Sequence, residues 1–270
     1  MKKVLVALVL VALLVSLCAC SVVPSNSFMS KSKVNSLVKH YPEPKAVVTL
    51  EYTTGGNKFK VEITYKLLLD KAPIAVTRFI QIANEGGYEN TLVDTVKSSS
   101  TSKKYAIMGR YANEQNTYYN LRANDVKFAG EFESNGYREP QGGYAKFKIF
   151  SLAMYHGETG EDFDSADGTL ILALEGADHT LNPANYAVFA EFESMAIYTN
   201  GELTTPIRTT VSGDIQAHLK SFTGVTTRTV HDGQTADAKT SEQKITSTEV
   251  KLSVTIADTQ DGWSKLPTIR

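Results

Sequence analysis

Asp70-Lys-Ala-Pro-Ile-Ala-Val-Thr-Arg-Phe-Ile-Gln-Ile-Ala-Asn-Glu-Gly-Gly-Tyr-Glu-Asn90 is the stretch from which the fold can be read. Ala72, Ala75, Val76, Phe79, Ile80 and Ala83 recur at i, i+3, i+4, i+7, i+8 and i+11, one apolar stripe on an α-helix. Asp70 is placed to cap the start. Pro73 fits the first turn, where its missing N–H has no partner to lose, and Gly86-Gly87 ends the helix. A helix with one apolar face needs a partner surface, and the flanking sequence supplies strands.

Upstream, Val48, Leu50 and Tyr52 alternate with polar neighbours up to the turn residues Thr54-Gly55-Gly56-Asn57. Beyond that turn Phe59, Val61, Ile63 and Tyr65 alternate with Lys58, Lys60, Glu62 and Thr64. Period two on both sides of a glycine pair predicts a β-hairpin. Downstream, strands are expected over 92–97, 104–111, 147–155, 169–174 and 186–192, and a second helix over 213–222. The last strand is expected over 249–257, with Val250, Leu252, Val254 and Ile256 inward. Mainly β structure with two helices fits a closed antiparallel barrel.

The ends read differently. Lys2 and Lys3 precede an apolar run from Val4 to Leu17 that is too short to span a bilayer comfortably, the pattern of a signal peptide. Leu17-Cys18-Ala19-Cys20 closes it in the form of a bacterial lipoprotein box, with Cys20 as the lipidation site. Cleavage removes Cys18 and acylation occupies Cys20, and these are the two cysteines of the chain. The remaining domain is then expected to hold together by its core alone. Two or more acyl chains give stable anchoring. The expected organisation is a signal peptide over 1–19, a lipidated tether over 20–45, a barrel over 46–258 and a tail over 259–270. The tether is polar and carries Pro24, Pro42 and Pro44, with a short helix possible near Lys33 to His40. The chain is expected on the outer side of a bacterial membrane, in the envelope.

A formal net charge of −1 with 21% charged residues leaves no basic stripe for phosphates, so nucleic acid is not expected as a partner. The five histidines show no ligand spacing. His156 with Glu158, Glu161, Asp162 and Asp164 reads more simply as a solvated turn than as a metal loop. Ser165 has no nearby base or elbow motif. No metal or cofactor is expected.

The helix stretch and Tyr186-Ala-Val-Phe-Ala-Glu-Phe192 together resemble the cyclophilin-type peptidyl-prolyl isomerases. That family's first helix reads much like Ala-Pro-x-x-Val-x-x-Phe and ends in Gly-x-Tyr-x-x-Thr, and a late barrel strand reads Tyr-x-Val-Phe-x-Glu/Gly. The resemblance implies a closed cyclophilin-like barrel capped by two helices. It also implies a groove that takes X-Pro segments, whose rotation faces a barrier of about 18–20 kcal/mol. Such an enzyme needs a proline pocket and a donor aimed at the prolyl amide. In the family the donor is an arginine supported by a glutamine.

Carried over residue by residue, Thr95 takes the arginine position, Met108 the glutamine position and Thr169 the glutamine of the Gln-Phe-Phe segment. Leu170 and Ile171 replace its two phenylalanines, and Tyr186 keeps a polar aromatic. Arg110, two residues beyond Met108 on a continuing strand, would share its face and could restore a guanidinium. Segments 98–103, 115–126, 198–211 and 223–247 read as insertions or long loops relative to the family. The implied function is a prolyl-isomerase-like folding helper for secreted proteins, with proline-containing segments as partners. The alternatives are a binding module on the same barrel without turnover, and a structural or adhesive lipoprotein.

Overall fold

The computed structural model describes residues 29–41, 43–89, 91–97, 105–112, 118–119, 130–131, 137, 140, 142–155, 166, 168–174, 181, 186–208 and 250–257. The expected helix over 213–222, the signal peptide, Cys20, the acidic loop after His156 and the tail with Trp263 lie outside them.

The elements are α1 (Lys31–His40), β1 (Lys45–Thr54), β2 (Asn57–Leu67), α2 (Pro73–Asn84), β3 (Thr91–Lys97), β4 (Tyr105–Ala112) and β5 (Tyr118–Tyr119). They continue with β6 (Leu152–Met154), β7 (Leu170–Ala173), β8 (Val188–Thr199), β9 (Glu202–Arg208) and β10 (Lys251–Ala257). Hydrogen-bonded neighbours run β2-β1-β10-β3-β4-β7-β6-β8, and β8 pairs back onto β2. The antiparallel sheet therefore closes on itself as a barrel of eight strands.

Alternation sets the faces. Val48 lies opposite both Ile63 and Val254, and all three are buried. Ala46, Leu50, Val61, Tyr65, Leu252 and Ile256 join them in the main core. Gly55 and Gly56 have φ of +55° and +80°, which the two-residue turn between Thr54 and Asn57 requires.

Helix α2 packs its Ile74, Ala75, Val76, Phe79 and Ile80 into the same core. The Phe79 ring lies 5.5 Å from Tyr88 and 5.0 Å from Phe189. Its start corrects one expectation. Ala72, not Asp70, occupies the cap position, and it offers no side-chain bond. The cap comes from Glu131 instead, whose Oε1 accepts the Ile74 N–H at 2.9 Å and whose Oε2 accepts the Ala75 N–H at 3.0 Å. Burial pushes the Glu131 carboxyl up from 4.5 to about 8, although the two backbone N–H bonds pull it back down. The Tyr137 hydroxyl donates to the Lys71 carbonyl at 3.1 Å and the Tyr144 hydroxyl to the Tyr137 carbonyl at 2.9 Å, so this segment clasps the helix start.

The structure adds detail to several other segments. The segment over 198–211, read as an insertion, contains an ordered hairpin: Asn200-Gly201 turns β8 into β9, with Thr199 opposite Glu202. One edge of β8 pairs with β2, while the other pairs first with β6 and then with β9. The tether over 20–45 contains α1, capped by the Ser30 hydroxyl accepting the Lys33 N–H. Met29, Leu37 and Val38 pack against the barrel core, and Tyr41 is buried in it. The strand expected over 147–155 narrows to Leu152–Met154, because Phe150 at φ +64° turns the chain just before it. Of the segment over 115–126, Tyr118–Tyr119 pairs with β4.

Candidate functional site

Strands β6 and β7 separate two apolar clusters by side-chain parity. Leu152, Met154, Leu170 and Leu172 belong to the main core inside the barrel. Ala153, Ile171 and Ala173, on the opposite face, belong to a second cluster with Phe147 and Val188. Tyr105, Ala145, Tyr155, Leu181 and Tyr186 pack around it, partly buried. This second cluster lies on the outer face of the barrel wall, where the resemblance puts the proline groove.

The expected site residues divide. Ile171 and Tyr186 both lie in the outer cluster, so the structure brings these two together. The Tyr186 ring stands edge-on to Phe147, with centroids 6.0 Å apart. Thr169 is buried immediately before β7, and its carbonyl accepts the Tyr155 N–H at 2.9 Å. Thr95 pairs across the β3–β4 ladder with Ile107.

Met108 is a correction. It is fully buried in the main core, opposite Leu170, and lines the inside of the barrel rather than the groove. Its neighbour Ile107 lies opposite Ile171, so the outward position on this strand is one residue earlier.

The parity argument from Met108 to Arg110 fails for the same reason, yet Arg110 still reaches the outer side. Gly109 has φ +92°, which interrupts the alternation between the two residues. The Arg110 guanidinium carbon lies 5.9 Å from the centroid of the Tyr155 ring, at the edge of the outer cluster. A Cβ on Gly109 would approach the Tyr88 ring to 3.1 Å, so the kink also makes room for Tyr88. The Tyr88 hydroxyl donates to the Gly168 carbonyl at 2.8 Å and ties the turn after α2 to the segment entering β7.

Phe147, Ala153, Tyr155 and Val188 were absent from the sequence-derived site. Alternation could have supplied Ala153 and Tyr155, since the core-type residues Leu152 and Met154 alternate with them. Phe147 has no local signal, because it reaches the cluster from outside β6. Among the described residues no group of three His, Cys, Asp or Glu side chains could hold a metal ion, and no helix is long and apolar enough to cross a membrane.

A closed eight-stranded antiparallel barrel with an apolar cluster on its outer wall defines the fold class, and comparison with known proteins specifies it further. Residues 49–198, more than half of the chain, match the family model described as cyclophilin type peptidyl-prolyl cis-trans isomerase/CLD. The chain belongs to the cyclophilin-type peptidyl-prolyl cis-trans isomerase family. It is also similar to the crystal structure of the Mimivirus cyclophilin, at 12% identity and a TM-score of 0.42, over 80% of this chain and 89% of that one. No curated protein matches it.

Proposed function

We propose that this chain is a prolyl-isomerase-like folding helper for secreted proteins, tethered through lipidated Cys20 on the outer side of a bacterial membrane. Proline-containing segments would lie over the outer cluster, against its partly exposed rim of Tyr105, Tyr155 and Tyr186 above buried Ile171, Ala153 and Val188. The observation that carries this reading is the gathering of Ile171 and Tyr186 on one apolar outer face with the Arg110 guanidinium at its edge. An apolar wall holds the proline ring, and a guanidinium there supplies the donor that stabilises the twisted amide.

Losing one preorganised donor typically removes about 3–4 kcal/mol of transition-state stabilisation, a hundred- to thousand-fold in rate. Proline-peptide isomerisation by wild type and Arg110→Ala tests this. A loss of about a hundredfold supports the assignment, and equal rates refute a role for Arg110. The lipid anchor is tested separately by labelling cells with a fatty-acid analogue and comparing wild type with Cys20→Ala.

One observation favours a second reading, a binding module without turnover. Thr95 stands on the β3–β4 ladder where the family carries its arginine, so the usual donor is replaced while the apolar cluster is kept. Saturable proline-peptide binding with no rate enhancement would select this reading.

A further inference from the structure

A second concavity lies at the tips of the β1–β2 and β8–β9 hairpins, away from the outer cluster. Strand β8 reaches both: Val188 belongs to the outer cluster and Tyr198 to the concavity, ten extended residues or roughly 30 Å apart. Its volume is about 620 Å³, within the usual range for ligand sites of about 300–1,000 Å³. Tyr198 gives it aromatic surface, Lys58, Lys60 and Lys251 give it positive charge, and Tyr52 and Phe59, whose side chains pack towards the core, back its floor.

The rim is built rather than incidental. Asn200, at φ +52° in the β8–β9 turn, donates its backbone N–H to the Lys58 carbonyl at 2.7 Å. Its Oδ1 accepts the Lys58 N–H at 2.9 Å, and its Nδ2 donates to Asn57 Oδ1 at 2.9 Å. Three hydrogen bonds therefore lock the two hairpin tips together. Below them, a row crosses four strands on the outward face: Lys251 opposite Glu51, Glu51 opposite Lys60, Lys60 opposite Tyr198. The Lys60 ammonium sits 4.2 Å over the Tyr198 ring and 2.9 Å from Glu62. Tyr52 and Phe59 stack with centroids 5.1 Å apart.

The charges are unbalanced. Three ammonium groups line the concavity against one carboxylate, Glu51, on a chain whose formal net charge is −1. Among the described residues Lys58 and Lys251 take part in no ion pair, while Lys60 is held by Glu62. An anionic ligand with aromatic or apolar bulk matches this combination.

We propose that this concavity binds an acidic, aromatic-containing peptide segment of a partner protein, independently of prolyl recognition. Carboxylates meet Lys58 and Lys251, and an aromatic side chain lies against Tyr198. The test is calorimetric titration of the full chain with a proline-free glutamate–tyrosine peptide and with a lysine–tyrosine peptide of equal length. The double variant Lys58→Glu/Lys251→Glu is titrated beside wild type. Expected are saturable binding of the acidic peptide alone, weakening at high salt, and about tenfold or greater loss in the double variant.

Binding of a proline peptide should be unchanged by the double variant. A circular-dichroism melt verifies that it folds, and Lys58→Ala/Lys251→Ala carries the same test if it does not. Equal binding of both peptides, or undiminished binding of the acidic peptide by the variant, overturns the proposal. So does binding of an anionic polysaccharide or anionic vesicles with none of the peptide.

Discussion

Glu131 lies 57 positions along the chain from Ile74, whose N–H it accepts, and the residue is 2% exposed. Two helix N-terminal amides favour the ionised form, and the loss of water opposes it. Burial wins, and the group titrates at about 8 in the fold instead of near 4.5. A carboxyl raised on folding holds its proton more tightly in the native state. Its stabilising contribution is therefore complete below about 4.5 and lost as pH rises towards about 8.

Urea midpoints measured across that window should fall with rising pH in wild type and fall less in Glu131→Gln. The comparison between the two isolates this residue from Tyr137, Lys71 and Asp70 near the helix start. Glu131→Ala leaves two buried N–H groups without their acceptor and should destabilise by about 1–3 kcal/mol at any pH. A pH profile identical in wild type and Gln variant would disprove the assignment.

At the level of the element, β4 shows how one backbone dihedral redirects a strand. Tyr105, Ala106, Ile107 and Met108 alternate regularly, and Gly109 at φ +92° breaks the sequence before Arg110. An alanine there meets both a disfavoured φ and the buried Tyr88 ring at 3.1 Å. Gly109→Ala should lower stability by about 1–3 kcal/mol in denaturant unfolding. An unchanged midpoint would mean that neither the dihedral nor the Tyr88 contact constrains this strand.

The elements whose signals are local were readable in the sequence. Helix α2, the β1–β2 hairpin and β10 each carry their period within a dozen residues. The Asn200-Gly201 pair was equally local, an established signal for a tight hairpin turn, and it marks the β8–β9 hairpin inside what otherwise reads as an insertion. The direction of Met108 was not readable from family correspondence. The register that points it inward is fixed by pairing with Leu170, 62 positions away by residue number.

For the whole molecule, closure matters most. The β2–β8 ladder runs from Phe59↔Thr199 to Leu67↔Ala190 and removes the free edges an open sheet would have. Among the described residues β9 pairs only with β8, so its outer edge has no ladder partner there. Native-state hydrogen exchange should find β1, β2 and the β2-facing amides of β8 exchanging together through global unfolding. Outward amides of β9 should exchange sooner, through local opening. Uniform protection across β8 and β9 would contradict this division.

The amino-acid sequence by itself determined the amphipathic helix, the alternating strands and the family to which they belong, because those patterns repeat every two or three to four residues and need no distant partner. Only the tertiary structure decided that Glu131 caps α2, that Met108 faces the core while Arg110 reaches Tyr155, and that α1 packs on the barrel. Each of these depends on which segments lie side by side after the barrel closes, and pairing between distant segments leaves no periodic trace along the chain.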